Sequence, residues 1–175
     1  MRVVAGSARG RRLEAPDGDG TRPTGDRVRE AVFNSLHSMG AVEDATVLDL
    51  YAGSGALGIE ALSRGAAHAT FADTDRRAVA AIEANLAATG LAEQATVVRA
   101  DAATVVSRAV AEGRRWDLAL LDPPYAFAGW ADLLEGFPAD VVVVESDRSI
   151  EPGPGWGVVR ERRYGSTLVA VLRPT

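Results

Sequence analysis

Short apolar runs alternate with longer amphipathic stretches along most of the chain. The apolar runs predict five strands, at Thr46–Leu50, Ala69–Ala72, Thr96–Arg99, Asp117–Leu121 and Val141–Glu145. The stretches between them have apolar residues at helical spacing and predict four helices, at Ala56–Arg64, Arg76–Thr89, Ala102–Glu112 and about Trp130–Gly136. Continuously apolar strands that alternate with helices are typical of a parallel sheet covered on both faces.

The two ends of the chain follow other patterns. Residues 2–13 consist of two short strand-like pieces around a glycine-containing turn and predict a β-hairpin. Residues 15–25, rich in Gly, Pro and Asp, predict a loop, followed by a helix with Thr24 as its N-cap. Near the other end, Val158–Arg163 and Thr167–Leu172 lie too close together for a crossover helix and predict an antiparallel hairpin.

The composition narrows the class of protein. The chain has 175 residues and a mass of 18.3 kDa, enough for one domain with a small appendage. It has no Cys and only two His, which excludes disulfides, thiolate zinc sites, a Cys nucleophile and a multi-histidine metal centre. There is no run of about 20 apolar residues, and the start of the chain lacks the apolar core of a signal peptide. We therefore expect a soluble, cytoplasmic protein without a metal.

Charge is distributed unevenly along the chain. The net charge of −5 alone argues against nucleic acid as a partner, because phosphate backbones are bound mainly through positive charge. However, residues 1–40 carry +2 and residues 41–175 carry −7, and the first twelve residues include four Arg and no acid. We therefore divide the chain into a basic β-hairpin extension at 1–20 and a main domain at 21–175.

A glycine-rich turn joins the strand Thr46–Leu50 to the next helix. Gly53, Gly55 and Gly58 fit the pattern G-x-G-x-x-G, in which glycines allow a tight turn and the helix N-terminus offers unpaired N–H donors. Asp73, twenty residues after Gly53, ends the second strand, where an acid can bind ribose hydroxyls. These residues fit a nicotinamide dinucleotide and an adenosyl cofactor equally well.

Two further acids bear on the choice of cofactor. Asp49 precedes Gly53 by four residues, a poor place for a carboxylate beside a pyrophosphate but a good one near the ammonium and sulfonium of S-adenosylmethionine. The alternative is a generic tight turn with Asp49 as a local cap. Asp101 follows the third strand and is either the N-cap of the next helix or a contact to adenine. Asp49 favours S-adenosylmethionine.

The most specific motif is Asp122-Pro-Pro-Tyr125, which follows the fourth strand. Its two prolines fix the backbone and remove two N–H donors, so that nearby carbonyls can face a ligand. Asp122 and the Pro123 carbonyl could then accept both hydrogens of an exocyclic amino group, directing the nitrogen lone pair towards a methyl donor, with Tyr125 stacked on the base. Such chemistry needs geometry rather than a nucleophilic side chain. The alternative is a proline-stiffened turn without a catalytic role.

Together, these motifs resemble the class I S-adenosylmethionine-dependent methyltransferases that modify amino groups. Over nearly its whole length the chain is similar to the RsmD family, which are bacterial 16S rRNA guanine-N2 methyltransferases. The similarity extends to four N-terminal stretches: Arg2–Gly6, Arg9–Leu13, Arg22–Thr24 and Arg27–Asn34. It implies a Rossmann-like, mostly parallel seven-stranded sheet with helices on both faces, an antiparallel last strand and a small N-terminal β-hairpin extension.

The resemblance also implies a role for each motif. The catalytic residues would be Asp122, Pro123, Pro124 and Tyr125. S-adenosylmethionine would be bound by Asp49, Tyr51, Gly53, Gly55, Asp73, Thr74, Asp101 and Ala102, with Asp73 standing where relatives often have Glu. RNA would be bound by Arg9, Arg11, Arg12, Arg22 and Arg27. Arg22, Thr24 and Arg27 would line either the carboxylate of the cofactor or the entrance for the substrate.

The implied reaction is methylation of the exocyclic N2 of one guanine in 16S rRNA or in the small ribosomal subunit. The guanine must leave its stack to reach such a site, and we expect the enzyme to be a cytoplasmic monomer. Adenine N6 in DNA and a protein glutamine are rival substrates, since each presents an amino group. A non-catalytic RNA-binding ribosome assembly factor and a nicotinamide dehydrogenase are rival functions, and Asp49 disfavours the dehydrogenase.

Overall fold

One seven-stranded sheet forms the centre of the molecule. The computed structural model describes residues 1–16 and 25–175, and its strands are β1 Thr46–Leu50, β2 His68–Asp73, β3 Ala95–Arg99, β4 Trp116–Leu121, β5 Ala139–Ser146, β6 Trp156–Tyr164 and β7 Thr167–Pro174. Across the sheet their order is β3-β2-β1-β4-β5-β7-β6. Strands β1 to β5 are parallel, and β7 runs antiparallel to both β5 and β6. The predicted α/β fold with an antiparallel last strand is confirmed.

Helices cover both faces of this sheet. They are α1 Asp26–Ser38, α2 Ala56–Ser63, α3 Arg76–Thr89, α4 Ala102–Ala111 and α5 Trp130–Leu134, with a short 3₁₀ turn at Ala92–Gln94. Helices α1, α2 and α3 pack on one face, and α4 and α5 on the other. The predicted N-cap of α1, Thr24, lies outside the described residues, and Gly25 at the cap position provides no side-chain hydrogen bond. No helix in the described ranges is long and apolar enough to span a membrane.

Alternate residues of each strand enter one of two cores, because neighbouring side chains on a strand point to opposite faces. On β4, Leu118 and Leu120 belong to the core beneath α1, α2 and α3, whereas Ala119 and Leu121 belong to the core beneath α4 and α5. This alternation explains why the strands are apolar throughout. It leaves polar side chains at the strand ends, where the chain emerges from the sheet.

The first thirteen residues, here called the N-terminal segment, form a short hairpin as predicted, with little regular strand. An antiparallel bridge joins Arg2 to Arg12, backbone hydrogen bonds join Val3 to Arg11 and Leu13 to Met1, and residues 5–10 form bends and turns. Val3, Ala8 and Leu13 are buried in the core beneath α1, α2 and α3. The segment is therefore held both by antiparallel pairing within itself and by its contacts with the helices.

A buried glutamate on α2 supplies the most extensive of those contacts. The Glu60 carboxylate accepts hydrogen bonds from the backbone N–H groups of Val4 and Ala5, at 2.8 and 3.0 Å. It also pairs with Arg64 at 2.7 Å and with the fully buried Arg29 of α1 at 3.5 Å. A buried charge is tolerated only where it is paired and hydrogen-bonded, so the N-terminal segment is part of what keeps Glu60 satisfied.

The turn of the N-terminal segment lies against the end of α2. The N–H of Ser7 donates to the carbonyl of Ser63 at 2.7 Å, and the N–H of Ala8 donates to the Ser63 hydroxyl at 2.9 Å. Gly6 has a φ of 83°, and a Cβ at this position would lie 1.7 Å from the Ser63 carbonyl oxygen. Only glycine allows this approach. The division into an extension at 1–20 and a domain at 21–175 stays a prediction, and the two parts share one core.

Candidate active site

The predicted functional motifs meet at one edge of the sheet. Strands β3, β2, β1 and β4 are consecutive neighbours, and the carboxyl ends of all four carry a predicted site residue or motif. The chain passes from β1 outward to β2 and β3 on one side. It then crosses back to β4, which lies on the other side of β1. In open α/β sheets, ligands bind at such a switch point.

Residues 51–55 between β1 and α2, here called the glycine loop, are fixed by Asp73 at the end of β2. One carboxylate oxygen of Asp73 accepts the N–H of Gly53 at 2.9 Å, and the other accepts the N–H of Asp75 at 2.9 Å. Gly53 and Gly55 have φ values of 57° and 77°, the region that favours glycine. Each Asp73 oxygen keeps a further lone pair, so the carboxylate can still accept hydroxyl groups.

Asp49 is buried at the end of β1, and only 1% of its surface is exposed. Its Oδ2 accepts the N–H of Gly58 at 2.8 Å. Burial raises the pKa of the Asp49 carboxyl well above its ordinary value, the Gly58 hydrogen bond opposes this, and the nearby carboxylates of Asp122, Asp73 and Glu145 raise the pKa further. Four acids of adjacent strands are thus concentrated where a positive group would relieve their repulsion.

Gly58 allows α2 to approach this carboxylate closely. A Cβ on Gly58 would lie 2.3 Å from the ring of Phe71 and 3.0 Å from Oδ2 of Asp49. The third glycine of the motif therefore serves helix-to-strand packing, and the first two serve the turn.

A cavity of about 680 Å³ opens beside the glycine loop, towards α4 and α5. Five predicted cofactor residues line it, namely Tyr51, Asp73, Thr74, Asp101 and Ala102. Tyr51 adopts a φ of 57°, unusual for a bulky residue, and its ring lies 5.9 Å from that of Phe127 between centroids. Burial and the charge of Asp101 raise the pKa of the Tyr51 hydroxyl.

Asp101 has a structural task as well as a place in the cavity wall. It is the N-cap of α4, since its Oδ1 accepts the N–H of Thr104 at 2.8 Å and its Oδ2 accepts the Thr104 hydroxyl at 2.9 Å. These hydrogen bonds lower the pKa of the Asp101 carboxyl. Its position is compatible with both predicted roles, and only the contact with adenine stays a prediction.

The Asp122–Tyr125 motif leaves β4 as a tight turn next to Asp49. The N–H of Phe127 donates to the carbonyl of Pro124 at 2.8 Å, closing a turn whose tip, including Tyr125, is exposed. The Tyr125 hydroxyl lies 3.2 Å from the hydroxyl of Thr167 on β7, and Arg148 donates to the Tyr125 carbonyl at 2.9 Å. The motif is thus held from the side of β7 while Tyr125 keeps 38% of its surface exposed.

Several residues at this edge are not predicted by the sequence. Glu145, near the end of β5, is 4% exposed and close enough to Asp49 to affect its pKa. The sequence does contain a signal for Glu145, because it is an acid at the end of an apolar strand, like Asp49 and Asp122. Other cavity residues come from α5 and the chain on either side of it, where the sequence predicts a helix but does not indicate which residues face a cavity: Phe127, Gly129, Asp132, Leu133 and Glu135.

The predicted RNA-binding arginines are spread over another part of the surface. Arg9, Arg11, Arg12 and Arg27 are all exposed, and Arg22 lies outside the described residues. The turn that carries Arg9 packs against the C-terminal end of α2, about 12 Å along that helix from the glycine loop. Within residues 1–16 and 25–175, no group of three or more His, Cys, Asp or Glu side chains is arranged to hold a metal ion.

Comparisons with known proteins agree with this architecture. Residues 1–173 match the family described as conserved hypothetical protein 95. The chain is 38% identical to ribosomal RNA small subunit methyltransferase D of Escherichia coli strain K12, over 94% of this chain and 85% of that protein. It is 37% identical to YlbH of Bacillus subtilis strain 168, provisionally named an rRNA methyltransferase, over 99% of this chain and 98% of that protein.

A solved structure shows the same likeness in three dimensions. The Escherichia coli protein yhhF, provisionally titled a methyltransferase, superimposes with a TM-score of 0.84 at 35% sequence identity. The match covers 99% of this chain and 97% of that one. The whole fold is therefore shared, including the N-terminal segment and the β6–β7 hairpin.

Proposed function

This chain belongs to the conserved hypothetical protein 95 family, the RsmD family, and we propose that it transfers a methyl group from S-adenosylmethionine to the exocyclic N2 of a guanine in 16S rRNA. The observation that carries the proposal is the position of the Asp122–Tyr125 turn, beside Asp49 and the glycine loop at the switch point of the sheet. The name of the Escherichia coli relative supports an rRNA of the small subunit as substrate.

The residues present fit S-adenosylmethionine. Asp73 keeps hydrogen-bonding capacity for the ribose hydroxyls while its other contacts fix the glycine loop. Tyr51 and Ala102 give the cavity an aromatic and apolar wall for the adenine, and Asp101 adds a carboxylate beside it. The repelling carboxylates around Asp49 favour a ligand with positive charge. A nicotinamide dinucleotide would bring pyrophosphate charge to the same acids.

The chain itself contributes orientation rather than a nucleophile. Asp122 and the Pro123 carbonyl accept the two hydrogens of the guanine N2 amino group, and Tyr125 stacks on the base. When bound, S-adenosylmethionine would supply an electrophilic methyl group, towards which Asp122 and the Pro123 carbonyl direct the N2 lone pair, and solvent would take up the proton released from N2. Fixing the amino group in this geometry accounts for much of the rate, since misplacement by about 1 Å costs on the order of 100-fold.

RNA reaches this site with its target base out of the stack. Exposed arginines of the N-terminal segment and α1 bind phosphates and fix the position of the strand without reading its sequence. We include Arg9, Arg11, Arg12 and Arg27 in this role.

Replacement of Asp122 tests the proposal. Asp122→Ala should lower methyl transfer by about 100-fold or more, because one of two acceptors for the amino group is lost, while the affinity for S-adenosylmethionine stays close to that of the unmodified protein. The measurement is incorporation of labelled methyl groups into small-subunit particles from a strain that lacks the modification. The matched control is Asp140→Ala, which replaces an exposed acid at the amino end of β5, away from the predicted site.

The same experiment separates the rival functions when the label is mapped. Label at guanine N2 supports the proposal, and label on adenine or on a glutamine side chain overturns the substrate. Undiminished turnover of Asp122→Ala would overturn the catalytic role of the motif. Binding of small-subunit particles without S-adenosylmethionine binding in calorimetry would indicate an assembly factor without catalysis.

A further inference from the structure

The outer strand of the sheet carries a second set of arginines. Residues 158–163 of β6 are exposed on both faces, and three of them are arginines. Together with Arg148 in the preceding loop, Arg160, Arg162 and Arg163 are here called the C-terminal arginine surface. Residues 147–173 contain five Arg and three acids, a net charge of +2 in a chain of net charge −5.

The arginines of β6 remain available for a ligand. In the described parts of the chain, none of the three lies within ion-pair distance of a carboxylate. Arg160 donates to the Ser35 hydroxyl of α1 at 2.5 Å, and Arg163 donates to the carbonyl of Asp147 at 3.3 Å. Hydrogen bonds to neutral groups place these side chains and leave their charge uncompensated.

Direct contacts join this surface to the Asp122–Tyr125 motif. Arg148 donates to the carbonyl of Tyr125 at 2.9 Å, and the Tyr125 hydroxyl lies 3.2 Å from Thr167 at the start of β7. Thr167 pairs with Tyr164, directly after the arginines of β6. The tip of the β6–β7 hairpin therefore adjoins the residue proposed to stack on the target base.

The strand pairing places Arg162 on a line that runs across the sheet towards Asp122, the proposed site for the amino group. Val169 of β7 pairs with Glu145 on one side and with Arg162 on the other, and side chains of paired residues lie on the same face. Asp122 follows β4, the neighbour of β5 on its other side. Three strand spacings separate β4 from β6, or about 14 Å, so Arg162 lies beyond the site and not within it.

We propose that the C-terminal arginine surface binds the phosphates of the RNA strand that flanks the target nucleotide. The inference rests on the proposed function. A base inserted at Asp122 leaves its own backbone outside the pocket, and the adjoining surface towards β6 presents guanidinium groups, which bind phosphate well. A different role for charged residues on an outer strand is to prevent pairing between sheet edges, and the test must separate the two.

The test compares two double variants that remove the same charge. Arg160→Gln with Arg162→Gln alters the proposed surface, whereas Arg114→Gln with Arg115→Gln alters the residues just before the amino end of β4, a central strand. Affinity for a radiolabelled 16S rRNA transcript is measured by filter binding over a series of salt concentrations. Calorimetry with S-adenosylmethionine and size-exclusion chromatography are carried out on all three proteins.

The surface variant should bind the transcript about tenfold more weakly at physiological salt, and its slope of log affinity against log salt should fall by about 1.4, or about 0.7 for each lost contact to a single strand. The control variant should stay within about twofold of the unmodified protein. Affinity for S-adenosylmethionine should be equal in all three, since neither pair of arginines lines the cofactor cavity.

Four outcomes would overturn the inference. Equal RNA affinity and salt slope in the surface variant and the control variant would show that the C-terminal arginine surface does not bind RNA. Self-association of the surface variant with unchanged RNA affinity would assign the arginines to protection of the sheet edge. An unmodified protein that neither binds nor methylates RNA would overturn the proposed function as well, whereas normal methylation by the surface variant would overturn this inference alone.

Discussion

At the scale of single residues, Asp49 has the most unusual environment. Its carboxylate is buried, touches one backbone N–H and lies near three other acids. Such a group favours its neutral form until a positive charge arrives. In the proposed function that charge comes with the cofactor, so the cofactor-free protein should carry an electrostatic cost at this position.

This cost predicts how stability depends on pH. The pKa of Asp49 is raised above its ordinary value of 3.8 in the folded protein, so the folded state holds the proton more tightly than the unfolded state. The contribution to stability is complete at low pH and is lost as pH rises from about 3.8 through the folded-state pKa, by at most about 1.4 kcal/mol per pH unit.

Asp49→Asn removes that titration. Its free energy of unfolding in urea, measured from pH 5 to pH 8, should rise relative to that of the unmodified protein as pH increases. Asp140→Asn, at an exposed site, should parallel the unmodified protein. If the Asp49→Asn curve ran parallel too, the carboxylate would be ionised throughout and the electrostatic account would be wrong.

Sequence predicted the acids Asp49, Asp73, Asp101 and Asp122 because each lies at or just after the end of an apolar strand. Glu145 follows the same rule, but nothing in a single sequence says that β5 lies beside β4 with its acid next to Asp122. Of the cavity residues around α5, Phe127 lies in irregular chain before the helix and Leu133 lies in the helix itself, and the sequence does not indicate that either faces a cavity. Their position depends on tertiary packing alone.

At the scale of elements, the strands and helices of the main domain were predicted to within about two residues. Burial on two faces makes the strands apolar, and glycines such as Gly90, with a φ of 74°, end helices visibly in the sequence. The hairpin of the N-terminal segment was predicted, but its docking on α2 was not. That docking depends on Glu60 and Ser63, more than fifty residues away, and no local pattern encodes such partners.

Docking of the N-terminal segment should depend on Gly6. Gly6→Ala would bring a Cβ to 1.7 Å from the Ser63 carbonyl oxygen and should destabilise the protein by about 1–3 kcal/mol, because the segment must shift out of the core. Gly10→Ala is a matched control, with a φ of 82° and no atom within 4 Å of the added Cβ. Urea unfolding measures both.

The difference between the two variants isolates the contact with Ser63, since both glycines share a positive φ. Equal destabilisation by Gly6→Ala and Gly10→Ala would mean that only backbone strain matters and that the segment is loosely docked. A larger loss for Gly6→Ala would show that the segment is a part of the domain, as the burial of Val3, Ala8 and Leu13 indicates.

At the scale of the whole molecule, the net charge of −5 is the sum of an acidic region and two basic regions. Acids gather around the proposed cofactor site, and exposed arginines lie on the N-terminal segment and on β6. The sequence revealed the first of these basic regions because its arginines are close together and have no acids among them. The second was hidden, because Glu161 interrupts the arginines and only the fold shows their nearness to Tyr125.

The N-terminal arginines should contribute to RNA binding through charge alone. Substitution of Gln at Arg9, Arg11 and Arg12 should lower the slope of log affinity against log salt by about 2 for a 16S rRNA transcript. All three side chains are exposed, so stability and affinity for S-adenosylmethionine should not change. Deleting the whole N-terminal segment would not test the effect of charge alone, because the deletion would also expose the core residues that the segment covers.

The same substitution at Arg108, Arg114 and Arg115 provides a control of equal charge. These arginines pair with Glu112 or Asp140 on a different part of the surface. Filter binding should show a salt slope close to that of the unmodified protein for the control. If both triple variants lost affinity equally, general electrostatic attraction would explain binding, without a defined contact through the N-terminal segment.

The order of strands also has a consequence for synthesis on the ribosome. β7 follows β6 in the chain but lies between β5 and β6 in the sheet. While the chain grows, the edge of β5 therefore stays unpaired until β7 has emerged, which is synthesised after β6. β6 cannot join the sheet before β7 is in place. The nascent chain should complete its glycine loop early and its contact between Thr167 and Tyr125 last, so the proposed site for the target base should be complete only after β7 has been synthesised.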